Sequence, residues 1–336
     1  MIKKQLTTLA VAVGLLPLGG VAFADYPERN IHATIPWGAG GLTDIVARTL
    51  IPLAEEELGV SIIPHNRPGG GAVIGVNYVR QQRPNGYNLL VGTQDTTLYP
   101  VLGIADFAYE DFTPINVIGQ GLVVIAVNPN SPYATLGDLL EAIEAAPGSL
   151  RMGDVGAGAT PHITQTILDA ATYFDLEVRK VTFGGDGPGI TALMGQHIDF
   201  MPLSLPPAVE YLKSGQLRGL AILAAERLEL LSEIPAITEE LPEAEAYLPW
   251  GSFQGIYVHK DTPESIKATL ADAFQAAVGS EAFTSRYNSD FGGVTLNLRG
   301  DEAQAYIDRW QALTSWLLED AGAAKVSPDS LGIARP

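Results

Sequence analysis

The stretch Pro36-Trp37-Gly38-Ala39-Gly40-Gly41-Leu42-Thr43-Asp44 links a short apolar strand, predicted at residues 30–36, to a helix predicted at residues 45–58. Thr43 and Asp44 are typical helix caps, and Gly59 is expected to end the helix. Glycines allow the main chain to approach a ligand closely, and a helix start offers unpaired N–H groups and a positive dipole end. The loop therefore predicts either an anion-binding site without a cationic side chain or a simple tight turn.

Two nucleotide-binding motifs have a similar glycine spacing, and neither is complete here. A phosphate-binding P-loop ends in Gly-Lys-Ser/Thr, but Leu42-Thr43 occupies those positions. A dinucleotide site needs a third glycine where Thr43 stands, and an acidic residue after the next strand, where Asn66 stands. We therefore predict no cofactor.

Strands and helices alternate along the rest of the chain, which indicates an α/β fold with parallel strands covered by helices. Two units of similar rhythm and a tail too small to be a domain predict two lobes. We assign residues 25–125 and 250–336 to a discontinuous first lobe and residues 126–249 to the second. Two crossing strands near residues 125 and 249 form the expected hinge, the first within a long strand at 116–127. Ligands of such sheets bind beyond the carboxyl ends of strands, so we expect the site in the interlobe cleft.

Two further glycine-rich loops precede predicted helices in the second lobe. One is Gly153-Asp154-Val155-Gly156-Ala157-Gly158-Ala159-Thr160-Pro161-His162, in which Thr160 is the expected N-cap and Pro161 the first helical residue. The other is Gly184-Gly185-Asp186-Gly187-Pro188-Gly189. Three such loops spread over both lobes are difficult to explain as turns alone, so we predict that they share one ligand.

The N-terminus has the pattern of a secretory leader. Lys3 and Lys4 precede an interrupted apolar stretch, and Ala22-Phe23-Ala24 provides small residues for cleavage after Ala24. The chain contains no cysteine, which excludes disulfides, thiolate metal sites and a lipid anchor on cysteine. Its net charge of −18 becomes −20 without the two leader lysines, and such a surface disfavours nucleic acid. We expect a soluble, monomeric protein of the periplasm.

Single residues add little chemistry of their own. The five histidines are not paired at ligand spacing, so no metal site is predicted. His162 is either a ligand donor or a capping side chain, and Trp37 is either core or a wall against which a solute stacks. No serine lies in a Gly-x-Ser-x-Gly elbow, and no nucleophile and base form a convincing pair. We therefore predict a binding protein, not an enzyme.

Short motifs in a fixed order resemble the periplasmic receptors of tripartite tricarboxylate transporters, the Bug family. The resemblance covers nearly the whole chain after the leader. The matching stretches are Tyr26-Pro27-Glu28-Arg29, the loop from Pro36 to Asp44, Asn66-Arg67-Pro68-Gly69 with Ile74-Gly75, Pro84-Asn85-Gly86-Tyr87, Pro202 to Pro206, Gly215-Gln216-Leu217-Arg218 and Pro235-Ala236-Ile237.

This resemblance implies a two-lobed, type II-like Venus-flytrap fold and a small carboxylate solute, either a di- or tricarboxylate or an aromatic acid. It also implies delivery of that solute to the membrane subunits of a tripartite tricarboxylate-type transporter. Pro202-Leu203 replaces the family's common aromatic-aspartate pair, which disfavours amino acids. A sensory binding protein and an exported hydrolase are the alternatives. The ligand-binding residues that the resemblance implies are Gly38, Ala39, Gly40, Gly41, Thr43, Asp44, Thr93, Gln94, Gly156, Ala157, Gly158, Thr160, His162, Gly184, Gly185 and Ser204. Trp37 joins them as the candidate stacking wall.

Overall fold

The computed structural model describes residues 26–248 and 250–336. The predicted leader at residues 1–24, its cleavage site and the predicted domain boundary at residue 249 lie outside these ranges. In the described part, two mixed sheets, each flanked by helices, form two lobes. The predicted two-lobed α/β fold is therefore confirmed.

Eleven strands are present in the described residues. They are β1 (Ile31–Ile35), β2 (Ile62–Asn66), β3 (Asn88–Thr93), β4 (Phe112–Gln120), β5 (Val123–Val127), β6 (Arg151–Asp154), β7 (Arg179–Thr182), β8 (Phe200–Ser204), β9 (Arg218–Ile222), β10 (Phe253–His259) and β11 (Val294–Leu298).

The same part of the chain contains eleven α-helices. They are α1 (Leu42–Leu58), α2 (Val73–Arg80), α3 (Tyr99–Leu102), α4 (Leu136–Ala145), α5 (Thr160–Thr172), α6 (Asp186–Met194), α7 (Leu205–Lys213), α8 (Ile237–Glu240), α9 (Glu264–Gly279), α10 (Glu281–Ser285) and α11 (Gly300–Asp320). None of these helices is long and apolar enough to cross a bilayer.

The first sheet has the strand order β11-β4-β10-β3-β1-β2. Strands β2 and β3 run parallel to β1, as the βαβαβ rhythm predicts, whereas β10 is antiparallel to both β3 and β4. The C-terminal tail therefore contributes two strands to a sheet that begins near the N-terminus. One face of this sheet packs on α1 and α9 in a separate apolar core that contains Leu50 and Phe274.

The second sheet has the order β7-β6-β8-β5-β9. Strand β5 reads Val-Val-Ile-Ala-Val and all five of its residues are buried, as is typical of a strand covered on both faces. A large apolar core surrounds this sheet and continues into the first lobe, where it includes Tyr99, Trp250 and Trp310. The two lobes thus share part of their buried surface.

The crossing between the sheets differs from the prediction in position. The predicted single strand at 116–127 is two strands in different sheets, β4 and β5, and the chain passes between the sheets at Gly121-Leu122, before the predicted position 125. The N–H group of Gly121 donates a hydrogen bond to the carbonyl oxygen of Ser252, which lies just before β10 (2.8 Å). The two connections between the lobes are therefore joined directly.

Two of the predicted helix caps are wrong, because both helices begin earlier than expected. Helix α1 starts at Leu42 with Gly41 as its N-cap, so Thr43 and Asp44 lie within the first turn. Helix α5 starts at Thr160 with Ala159 as its N-cap, which moves Pro161 to the second helical position. Gly59 ends α1 in a left-handed conformation (φ 69°), as predicted. The earlier starts bring residues of both first turns to the cleft.

Candidate functional site

A small cavity lies between the two lobes, and it has a volume of about 30 Å³. Ligand pockets usually measure ~300–1,000 Å³, so the lobes have to separate further before a solute of several heavy atoms can enter. The cavity is lined by Trp37, Gly41, Leu42, Thr43, Thr93, Gln94, Asp95, Val155, Ala159, Thr160, Gly185, Asp186, Ser204 and Ser252.

Three helix starts converge on this cavity from opposite sides. The first lobe supplies the start of α1 at Leu42, and the second lobe supplies the starts of α5 at Thr160 and α6 at Asp186. The first N–H groups of a helix have no acceptor within the helix, and the dipole makes that end positive. The cavity is therefore electropositive in its main chain, although no lysine, arginine or histidine is among the described residues that line it.

The predicted site residues divide into two groups. Eight of them line the cavity: Trp37, Gly41, Thr43, Thr93, Gln94, Thr160, Gly185 and Ser204. The other nine do not: Gly38, Ala39, Gly40, Asp44, Gly156, Ala157, Gly158, His162 and Gly184. The described contacts of this second group show that it joins the lobes or supports the loops.

Glycine main chains form the contact between the lobes. The N–H group of Gly38 donates a hydrogen bond to the carbonyl oxygen of Gly184 across the cleft (2.6 Å). A Cβ atom on Gly187 would overlap the carbonyl oxygen of Ala39, and one on Gly156 would lie 3.1 Å from the Cα atom of Gly71. These glycines therefore allow a main-chain approach that any side chain would prevent.

Asp44 supports the first glycine loop from within. One of its carboxylate oxygens accepts a hydrogen bond from the N–H group of Gly40 (3.0 Å), and the other accepts from Arg48 (2.8 Å) and Asn66 (3.0 Å). Asp44 is buried and its acceptors are used locally. Asp44 therefore stabilises the first glycine loop and does not contact the cavity.

His162 is a capping residue of the second glycine loop. Its Nδ1 atom accepts a hydrogen bond from the N–H group of Gly158 (2.9 Å), so the ring is neutral with its proton on Nε2. Burial, with a smaller contribution from Lys180, lowers the pKa of His162 to about 4. Of the two sequence-based interpretations, the described contacts correspond to the capping side chain.

Asp95 is the most deeply buried acid in the cavity wall, and it is not among the predicted site residues. Trp37 donates its indole N–H to the hydroxyl oxygen of Thr93 (2.9 Å), and that hydroxyl donates to Asp95 (2.5 Å). Burial raises the pKa of Asp95 to about 7, the Thr93 hydroxyl opposes this rise, and the negative charge of Asp186 adds to it. Trp37 therefore belongs to a polar chain that ends at the cavity.

Asp186 is the second acid that the sequence analysis missed, and it belongs to the opposite lobe. Burial raises its pKa to about 6, while the nearby polar groups of Ser204 and the main chain of Leu42 oppose the rise. Because Leu42 is the first residue of α1, the carboxylate of Asp186 occupies part of a helix start that was predicted for a solute.

The missed residues had signals in the sequence. Asp95 directly follows Thr93-Gln94, which are among the implied ligand-binding residues, and Asp186 lies inside one of the three glycine-rich loops. Ser252 lies three residues beyond the expected crossing at 249. Each of the three residues has a side chain that accepts hydrogen bonds and lies at a strand end or a helix start. That combination could have identified them in the sequence.

Comparison with known proteins defines the class first. The fold resembles the periplasmic binding protein BugD with a TM-score of 0.81, over 89% of this chain and 99% of BugD, at 24% identity. MatC of Rhodopseudomonas palustris, solved with bound malate, gives a TM-score of 0.76 over 86% of this chain and 100% of its own, at 26% identity. The chain therefore has the fold of the two-lobed solute-binding proteins.

The family follows from the sequence comparison. The model of the tripartite tricarboxylate transporter family receptor, TctC, matches residues 46–308, and the chain belongs to this family. Protein BugT of Bordetella pertussis is 26% identical over 320 residues, which cover 91% of this chain and 96% of BugT. The resemblance stated from the short motifs is confirmed.

Proposed function

We propose that this chain captures a small carboxylate in the interlobe cleft and delivers it to the membrane subunits of a tripartite tricarboxylate-type transporter. The observation that carries the proposal is the convergence of three helix starts, from both lobes, on one cavity. Burying a carboxylate costs several kcal/mol unless donors replace its water, and helix-start N–H groups are such donors. The TctC family and the malate bound to MatC support the same class of solute.

Closure of the lobes follows from the distribution of the donors. A solute that contacts α1 in the first lobe and α5 in the second gains both sets of hydrogen bonds only when the lobes meet. Its binding energy therefore shifts the population toward the closed form. The membrane subunits can then distinguish loaded from empty receptor by the closed surface.

Catalysis has little support in the geometry. Ser204 and Ser252 line the cavity, but no histidine or lysine lies among its lining residues to act as their base. We accordingly propose a binding protein and not an enzyme.

We also propose that this protein acts in the periplasm and is exported by the leader at residues 1–24. N-terminal sequencing of the exported protein is expected to begin at Asp25, and an intact Met1 would contradict export with cleavage.

Thermal-shift and calorimetric titrations test the carboxylate proposal. Di- and tricarboxylates, aromatic acids and amino acids are screened as candidates, with a neutral sugar as the control. A true ligand at 100 times its Kd stabilises the folded state by about 2.7 kcal/mol. Stabilisation by the sugar alone would refute the proposal.

A pair of variants on α5 tests the location of the site. Thr160→Val removes a hydroxyl from the cavity wall and is expected to weaken binding about tenfold, the equivalent of one hydrogen bond of about 1.4 kcal/mol. Thr164→Val is the matched control, because Thr164 is buried on the same helix outside the lining residues. Equal affinities in the two variants would place the site elsewhere.

Uptake tests the transport part. Cells that lack this chain are expected to lose accumulation of the labelled acid that binds in vitro, and plasmid-borne wild-type protein is expected to restore it. Unchanged uptake with a changed transcriptional response to the acid would favour the sensory alternative.

A further inference from the structure

The two charged side chains among the lining residues of the cavity are both carboxylic acids, although its main chain offers donors. Asp95 from the first lobe and Asp186 from the second are 1% and 8% exposed, and both line the cavity. The negative charge of Asp186 acts on Asp95, so the two carboxyl groups face the same small space. No cationic side chain is present among the lining residues to offset them.

Two further polar groups in the wall lack partners. The side-chain oxygen of Gln94 and the hydroxyl of Ser252 are buried without a hydrogen bond, and each residue is only 2% exposed. Buried polar groups in folded proteins are nearly always satisfied, by protein, water or ligand. The Gln94 oxygen can only accept a hydrogen bond, so a guest that contacts it has to present a donor.

A solute with only negative groups fits this wall poorly. Once ionised, above their pKa values of about 7 and about 6, the Asp95 and Asp186 carboxylates would repel it, and a cavity closed to water screens that repulsion weakly. Asp186 also lies beside the start of α1, because a Cβ atom on Gly41 would be 3.8 Å from the Cβ atom of Asp186, and its carboxylate therefore competes with an anion for that helix start. The remaining donors at Thr43 and Thr160 suffice for one carboxylate group.

Building on the function proposed above, we propose that the solute is a small carboxylic acid that also carries a protonated amino group. The starts of α1 and α5 receive its carboxylate, and its ammonium group lies between Asp95 and Asp186 with Gln94 as a further acceptor. An ammonium has three donors and no acceptor, which matches three acceptor side chains. Because the two acids belong to opposite lobes, the ammonium also favours closure.

An amino acid as solute differs from the sequence-based expectation. Leu203 stands where an aspartate would suit an amino group, and for that reason the sequence disfavours amino acids. In the structure Leu203 is fully buried in β8 and lies outside the lining residues, whereas Asp95 and Asp186 supply carboxylates from other positions. The cavity therefore contains carboxylate side chains that can bind an amino group, although position 203 does not supply one.

Two matched ligand series test the proposal by isothermal titration calorimetry of the purified protein. Aspartate, malate and succinate share one skeleton and differ only in an amino group, a hydroxyl or a hydrogen. Alanine, lactate and propionate repeat the comparison at a smaller size. In the better-binding series we expect the amino compound to bind at least tenfold more tightly than the compound with hydrogen.

Variants assign the preference to the two acids. Asp95→Asn and Asp186→Asn are each expected to reduce the preference for the amino compound to less than threefold. Asp169→Asn is the matched control, because Asp169 is a partly buried acid of the second lobe that does not line the cavity. It is expected to keep the full preference, and circular dichroism checks that all three variants are folded.

The outcomes separate this proposal from the proposed function. Succinate or propionate binding as tightly as its amino counterpart, or a preference that survives both cavity variants, would overturn the ammonium site and leave carboxylate binding intact. No binding by any of the six acids, together with none by the tricarboxylates and aromatic acids of the thermal-shift screen, would overturn the proposed function itself. Binding of 1,4-diaminobutane as tightly as the best amino acid would show that no carboxylate is recognised, and would overturn both.

Discussion

Replacing Asp95 by asparagine should stabilise the protein above neutral pH. The Asp95 side chain is 1% exposed, and burial raises its pKa from 3.8 to about 7. Between these values the unfolded chain has lost its proton and the folded chain has kept it. The contribution of Asp95 to stability is therefore complete below pH 3.8, declines as the pH rises, and reaches its minimum above pH 7.

The magnitude follows from the interval between the two pKa values. Each pH unit corresponds to about 1.4 kcal/mol, so an interval of about three units costs the folded protein about 4 kcal/mol. Asparagine cannot ionise and keeps an oxygen that accepts from Thr93. The free energy of unfolding of Asp95→Asn should exceed that of the wild type by a difference that grows by up to about 1.4 kcal/mol per pH unit.

Urea unfolding at pH 5, 6, 7 and 8 measures this difference, with the wild type and the variant compared at each pH. Burial keeps the pKa values of Tyr99 and Tyr109 well above this range, so among the neighbours of Asp95 only Asp186 titrates with it. Glu141→Gln, an exposed change on α4, serves as the control and should show no such trend. A difference for Asp95→Asn that is constant across the four pH values would refute the reasoning.

Three further predictions concern closure, the second loop and the cavity wall. Gly187→Ala should weaken ligand binding at least tenfold in calorimetric titrations, because its methyl group meets the main chain of the other lobe, whereas Gly137→Ala has room and should not. In acid titrations monitored by circular dichroism, His162→Asn should lose less stability than the wild type as the pH falls from 6.5 to about 4. In this range the His162 ring is protonated in the unfolded wild type and neutral in the folded wild type, so acid favours unfolding, and asparagine removes this effect. Trp37→Phe should abolish most of the ligand-induced change in tryptophan fluorescence, and Trp316→Phe, whose indole bonds Ile333 outside the cavity lining, should retain it. Equal responses within either substitution pair, or a His162→Asn curve parallel to the wild type, would contradict these expectations.

Local patterns predicted much of the fold because they depend on neighbouring residues. The alternation of apolar strands with amphipathic helices identified the α/β class, and Gly59 identified the end of α1. The patterns failed at Gly121-Leu122, where an apolar run continues through a change of sheet. Hydrophobic periodicity indicates only whether a residue is buried. The residues before and after Gly121-Leu122 are both buried, in the first and second lobe respectively, so the pattern does not show the change of sheet.

The sequence by itself determined the α/β class, the family and the glycine-rich loops that carry helix starts to a cleft, since these rest on composition and on residues close together in the chain. Only the tertiary structure decided which loop residues face the cavity and which join the lobes. It also placed Asp95 beside Asp186, 91 positions apart in the chain and on different lobes. The physical reason is that burial and charge coupling act through space, so the chemistry of the cavity arises only when the two lobes meet.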